Sequence, residues 1–143
     1  MFRKMFDTEM EVMAVVREPI DWLGSWYRYR SRPELTNHVH STQELSFETF
    51  LNAYMQDARP DFADVGCQSE FLFPRSNGAG VTHIFKYENQ KGILKFLENR
   101  LECDIDLPHE NVSPECPMDL SRETEERFRS QHAAEFALHQ SAE

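Results

Sequence analysis

The chain has 143 residues and a mass of 16.9 kDa, which is one domain's worth of protein. Hydrophobic residues make up 40%, and eleven Phe, four Tyr and two Trp are ample anchors for a packed core, so wholesale disorder is excluded. A net charge of −10 excludes a broad electrostatic grip on nucleic acid, and no uncharged apolar run approaches the roughly 20 residues that cross a bilayer.

The charge is unevenly placed. Arg3, Lys4, Arg17, Arg28, Arg30 and Arg32 balance six acidic residues within positions 1–35, and the rest of the chain carries the whole negative excess. A small anionic ligand is therefore compatible with the N-terminal end, whereas a polyanion is not expected. The start, Met-Phe-Arg-Lys-Met-Phe-Asp, is charged again too soon for a signal-peptide apolar region, and a cytoplasmic protein is expected.

Taken in chain order, Glu11-Val-Met-Ala-Val-Val-Arg17 is an apolar run bounded by charges, as suits a strand buried on both faces in a parallel sheet. Pro19 fits the first turn of a helix, and Ile20, Leu23, Trp26 and Tyr27 give that helix its apolar stripe. Arg28, Arg30 and Arg32 read as a solvated helix end, stopped by Pro33; Trp22 and Trp26 read as core or interface aromatics. Ser46 is an N-cap for a helix with Phe47, Phe50, Leu51 and Tyr54 on one face.

Residues 59–80 read as loop, with the short apolar insert Phe71-Leu-Phe73 and the turn signal Asn77-Gly-Ala-Gly80. Val81-Thr-His-Ile-Phe85 alternates and is β-branched, the signature of a second strand. A helix from about Asn89 to Glu102 follows on Ile93, Leu94, Leu97 and Leu101. Pro108 to Pro117 is loop, and Ser121 caps one last helix holding Phe128, Phe136 and Leu138. This order predicts an α/β protein, a parallel sheet flanked by helices, although two or three strands make a thin sheet.

Cys67, Cys103 and Cys116 show no paired spacing and read as reduced thiols. Cys103, His109 and Cys116 lack a fourth ligand and fit no zinc spacing, so no metal is expected. Asn111-Val-Ser113 matches a glycosylation sequon, which carries no weight without a secretory signal.

The most informative segment runs from Val15 to Arg30. An Arg ends a strand, Pro opens a helix, and Ser25 follows Arg17 by eight residues. Ligands of open α/β sheets bind at the C-terminal ends of strands, and the fork of an Arg there suits a phosphate bidentately. The spacing alone leaves a second reading open, in which Arg17 pairs with Glu18 or Asp21 at the surface.

Arg17-Glu-Pro followed by Ser25-Trp-Tyr resembles the 3′-phosphate-binding motif of bacterial-type sulfotransferases that use 3′-phosphoadenylyl sulfate (PAPS). Ser46 to Leu51, Ile84-Phe-Lys-Tyr-Glu88 with its following helix, and Leu107 to Pro114 resemble that family's later helix, strand-Tyr-Glu-helix unit and Asn-x-Ser loop. The resemblance implies an incomplete P-loop-type, sulfotransferase-like domain over residues 1–143. Arg17 and Ser25 would contact the 3′-phosphate of the donor, and Tyr87 would lie near its adenine. The reaction implied is in-line transfer of a sulfuryl group to a hydroxyl or amine of a small-molecule or carbohydrate acceptor.

The family's first strand and its phosphate-cradling loop, with Lys beside Gly-Ser or Gly-Thr, have no counterpart among Lys4, Lys86, Lys91 and Lys95. The chain thus reads as the C-terminal portion of such a domain, with half a donor site and no independent activity. Exposed strand edges would invite a homo-oligomer. No catalytic base is nominated; His38, His40 and His83 are lone histidines. The alternatives are a non-catalytic nucleotide-binding or interaction module and, last, a kinase-type phosphotransferase, since nothing resembles the amino-acid kinase fold.

Overall fold

A computed structural model describes residues 11–72, 80–108 and 113–143. Arg3, Lys4, Phe73, the Asn77–Ala79 part of the turn signal, His109, and Asn111 with Val112 lie outside the described residues.

Two strands, β1 (Met13–Val16) and β2 (His83–Lys86), form a parallel sheet with Met13 opposite His83 and Val16 opposite Lys86. Among the described residues six α-helices accompany it, α1 (Pro19–Arg30), α2 (Phe47–Tyr54), α3 (Gln68–Leu72), α4 (Gln90–Leu101), α5 (Arg122–Gln131) and α6 (Ala133–Ser141), together with a 3-10 turn at Pro33–Leu35. The α/β character expected from the sequence is present, as a mainly helical chain with a small parallel sheet. Among the described residues no helix is long and apolar enough to cross a membrane.

β1 is not buried on both faces. Val16 is 2% exposed but Val15 is 41% exposed, because a two-stranded sheet gives β1 one strand neighbour. β2 is better flanked: Lys86 N–H donates to Glu143 O (2.8 Å) and Glu143 N–H to Ile84 O (2.9 Å), so the end of the chain pairs along its other side. β2 also starts two residues later than its alternation suggests. There the Thr82 hydroxyl takes the Val12 N–H (2.7 Å) while the Thr82 N–H donates to Val12 O (2.8 Å), so a side chain and a backbone amide share the pairing.

The core is helical. Leu23 and Tyr27 of α1, Phe47, Phe50, Leu51 and Tyr54 of α2, and Phe128 of α5 form one buried cluster. Its rings meet tilted, edge-on or offset-stacked, with Tyr27 5.5 Å from Phe47, Tyr54 6.2 Å from Phe128 and Phe47 6.3 Å from the nearly parallel Phe50 between centroids. Such offset contacts suit aromatic quadrupoles, which repel when stacked face to face. Helix starts follow the capping residues: Ser46, Asn89 and Ser121 accept from Thr49, Gly92 and Thr124 N–H groups, and the Glu18 carboxylate accepts from Asp21 N–H with Pro19 at the first helical position. Glu48 ties α5 to α2 by accepting from the hydroxyls of Ser121 and Thr124.

Three expectations need correction. Arg30 is not part of a solvated run: it is 9% exposed, and its guanidinium donates to Asp61 O (2.8 Å) and Asp64 O (3.2 Å), anchoring the loop after α2. The single C-terminal helix is two, broken at His132, whose imidazole packs 5.2 Å from Tyr54 and 4.8 Å from Phe128. Part of the 59–80 loop is helix α3. Its first amides, Gln68 N–H and Ser69 N–H, reach the buried Glu135 carboxylate at 3.1 and 3.3 Å, so the break at His132 supplies the group that satisfies α3.

Candidate functional site

The C-terminal ends of β1 and β2 deliver Arg17 and Tyr87 side by side. Tyr87 N–H donates to Val16 O (2.6 Å), and the Arg17 guanidinium lies 4.6 Å over the Tyr87 ring. A cation held over an aromatic face at this distance is worth roughly 0.5–1 kcal/mol at an exposed position. The same guanidinium donates through Nε to Asp21, one turn into α1. Arg28 Nη2 stands 3.8 Å from the other Asp21 oxygen. Two guanidinium groups therefore share the Asp21 carboxylate, with the Glu18 and Glu88 carboxylates close by at the start of α1 and the end of β2.

Ser25 is placed apart from Arg17. At 100° per residue it falls on α1 between Asp21 and Arg28 on one side and Trp22, Trp26 and Tyr29 on the other. It lines a pocket of about 420 Å³ with Trp22, Trp26, Tyr29, Arg32 and Ser113, and Arg17 is not in that lining. Two of the three residues singled out from the sequence, Arg17 and Tyr87, are in contact; Ser25 borders their charged neighbours.

What fixes Arg17 comes from distant parts of the chain. Its N–H donates to Gln68 Oε1 (2.8 Å) and its C=O accepts from Gln68 Nε2 (2.8 Å), so one side-chain amide does for β1 what a neighbouring strand would do. Gln68 is buried, and Glu135 holds its backbone in turn. On the other side, Glu88 Oε1 accepts from Glu18 N–H (3.0 Å) while Oε2 meets His139 Nε2 (3.0 Å), linking the end of β2 to the start of α1 and to α6. Burial alone would raise the Glu88 pKa, but the Glu18 N–H and His139 outweigh it and hold the carboxyl below its ordinary value.

Glu88 was legible as part of the Tyr87-Glu88 unit. Gln68, Glu135 and His139 were not nominated: a side chain that bonds across 51 or 67 residues leaves no periodic trace. The histidines considered from sequence lie elsewhere. His83 pairs with Glu11 (3.0 Å) at the start of β2, roughly 13 Å from Tyr87 at about 3.3 Å rise per residue. His38 and His40 pack against each other, 4.9 Å between rings, in the loop before α2. Cys67, Cys103 and Cys116 are all free thiols. Among the described residues no group of three or more His, Cys, Asp or Glu could hold a metal ion, and His109 of the Cys103, His109 and Cys116 set lies outside them.

The arrangement offers an arginine at a strand end beside an exposed aromatic ring, with a helix face carrying a second Arg and a hydroxyl. This is a donor set for an oxyanion attached to a planar group. Comparison of the chain with protein-family models, with curated proteins and with solved structures returned no match.

Proposed function

We propose that the chain is a sulfotransferase-like nucleotide-binding domain whose Arg17 and Ser25 take the 3′-phosphate of PAPS, with Tyr87 beside the adenine. The observation that carries the reading is the meeting of Arg17 and Tyr87 at the C-terminal ends of two parallel strands in register. That is where α/β sheets present ligands. The donor set suits the group: a guanidinium fork binds phosphate in two-point fashion, Arg28 adds field, and Ser25 adds a hydroxyl. Tyr87 is 44% exposed, which leaves ring surface for a base.

Asp21 opposes the ligand, since it already occupies Arg17. A phosphate must therefore displace an exposed carboxylate, at a cost of about 0.2–1 kcal/mol for a pair of this kind. A charge-assisted contact to phosphate returns roughly 1.5–3 kcal/mol, so the exchange favours the nucleotide. The donor would supply the sulfuryl group; the acceptor would be a hydroxyl or amine of a small molecule or carbohydrate. The residues proposed here hold the 3′-phosphate and base only, and the same set would serve a non-catalytic nucleotide-binding module equally.

The test is a binding comparison. Adenosine 3′,5′-bisphosphate should bind at least about tenfold more tightly than 5′-AMP, as a charge-assisted phosphate contact implies. Arg17→Ala should remove the difference and Asp21→Asn should enlarge it. Equal affinities for the two nucleotides, in protein shown by circular dichroism to be folded, defeat the assignment.

A further inference from the structure

The face of α1 beside the charged strand end carries a second feature that is built like a site. Trp22 and Tyr29 each stand almost perpendicular to Trp26, with interplanar angles of 86° and 85° and ring centroids 6.4 and 6.0 Å away. With Arg32 and Ser113 they line the pocket of about 420 Å³ described above. That volume falls inside the roughly 300–1,000 Å³ of small-molecule sites, and flat walls at right angles accept a flat ring by stacking on one and meeting the edge of another.

The polar groups of the pocket are uncommitted. The Arg32 guanidinium lies 4.6 Å over the Tyr29 ring, and among the described residues it makes no hydrogen bond or ion pair. Arg30, two residues earlier, is by contrast spent on Asp61 O and Asp64 O. Ser113 likewise has no side-chain hydrogen bond, and no carboxylate lines the pocket, among the described residues. In a chain of net charge −10, a stacked guanidinium without a carboxylate partner is a specific preference for an anion.

We propose that this pocket binds a planar aromatic carboxylate: the ring lies among Trp22, Trp26 and Tyr29, the carboxylate meets the Arg32 fork, and Ser113 bonds a polar ring substituent. The site borders the proposed nucleotide site at Ser25 but rests on other residues, since neither Arg17 nor Tyr87 lines it and Ser25 is not assigned to this ligand.

Trp22 and Trp26 are the only tryptophans of the chain and both line the pocket, so intrinsic fluorescence reports on it directly. The full chain, without nucleotide, is titrated with 4-hydroxybenzoate, benzyl alcohol, cyclohexanecarboxylate and tetramethylammonium. 4-Hydroxybenzoate should give a saturable change at an affinity at least about tenfold above the other three, since it alone combines a flat ring with an anion for the guanidinium. Arg32→Gln, at a half-exposed position that leaves the far-ultraviolet circular dichroism unchanged, should bring 4-hydroxybenzoate down to the level of benzyl alcohol. Three outcomes overturn the proposal: no saturable change with 4-hydroxybenzoate, equal binding of the saturated carboxylate, or tightest binding of tetramethylammonium, which would mark a cation cage. Adenosine 3′,5′-bisphosphate titrated separately tells a failure of this site from a failure of the Arg17 site.

Discussion

The helical core and the end of the two-stranded sheet are built on different physics. Around Phe47, Phe50, Tyr54 and Phe128, stability comes from apolar area removed from water on faces three and four residues apart. Around Arg17 and Tyr87 there is little area to bury, since only Val16 and Phe85 of the strands are fully enclosed. That end is held by side chains substituting for backbone: Gln68 at the top of β1 and Glu88 across to α1. Burial is non-directional and tolerates small shifts; a two-point amide bond does not. The region that carries the candidate site is thus also the region that depends most on single polar groups.

The largest contrast between the two should appear on truncating one residue in each. Phe50 is 0% exposed, and Phe50→Ala should destabilise the chain by about 3–5 kcal/mol through lost transfer energy and the cavity left behind. Val15→Ala, on the open side of β1, should stay within about 0.5 kcal/mol, as surface changes do. Urea denaturation of both variants measures the difference. A Val15→Ala cost comparable to that of Phe50→Ala would show that the sheet, and not the helices, carries the fold.

That contrast also explains what the sequence disclosed. The helices of Leu23, Phe50 and Ile93, their Ser and Asn caps and the two strands were legible because their signals are local and periodic. Helix α3 was not, because the group that satisfies its first amides, Glu135, lies 67 residues away from Gln68. The buried role of Arg30 was hidden for the same reason: its acceptors are two backbone carbonyls of a loop, and carbonyls carry no residue identity. Of the candidate site, the eight-residue spacing pointed to Arg17 and Ser25 and the family resemblance to Tyr87, and it is Arg17 and Tyr87 that the structure brings into contact. The amide that orients Arg17 was not.

Gln68 is the next place to separate the regions. Gln68→Leu keeps the volume and removes both bonds to Arg17, leaving its N–H and C=O without their protein partner. The expected cost is about 1–3 kcal/mol, the penalty for stranding buried polar groups. Amide hydrogen exchange gives the sharper readout: Arg17 N–H should lose protection while the amides of α2 keep theirs. Equal loss in both regions would mean that Gln68 supports the fold as a whole and not the strand end in particular.

Mild acid should reverse the order, weakening the core before the sheet, though with the smallest effect of the three. The imidazole of His132 sits among Tyr54 and Phe128, and burial together with the nearby Arg59 guanidinium pushes its pKa below the ordinary 6.5, while the Glu135 carboxylate pulls the other way. A base whose folded pKa lies below its unfolded value binds fewer protons when folded. Its contribution is therefore full above about pH 6.5 and declines as the pH falls below it. At the sheet, Glu11 is held at about 2 by Arg100 first and His83 second, so its contribution is full above the ordinary value of 4.5 and is lost only as the pH falls toward 2. Between pH 7 and 5 the melting temperature should thus fall. His132→Phe should flatten that stretch of the profile and leave the steeper loss below pH 4.5 in place. A profile unchanged by the substitution would move the mild-acid sensitivity out of the helical core, and the ordering of the two regions with it.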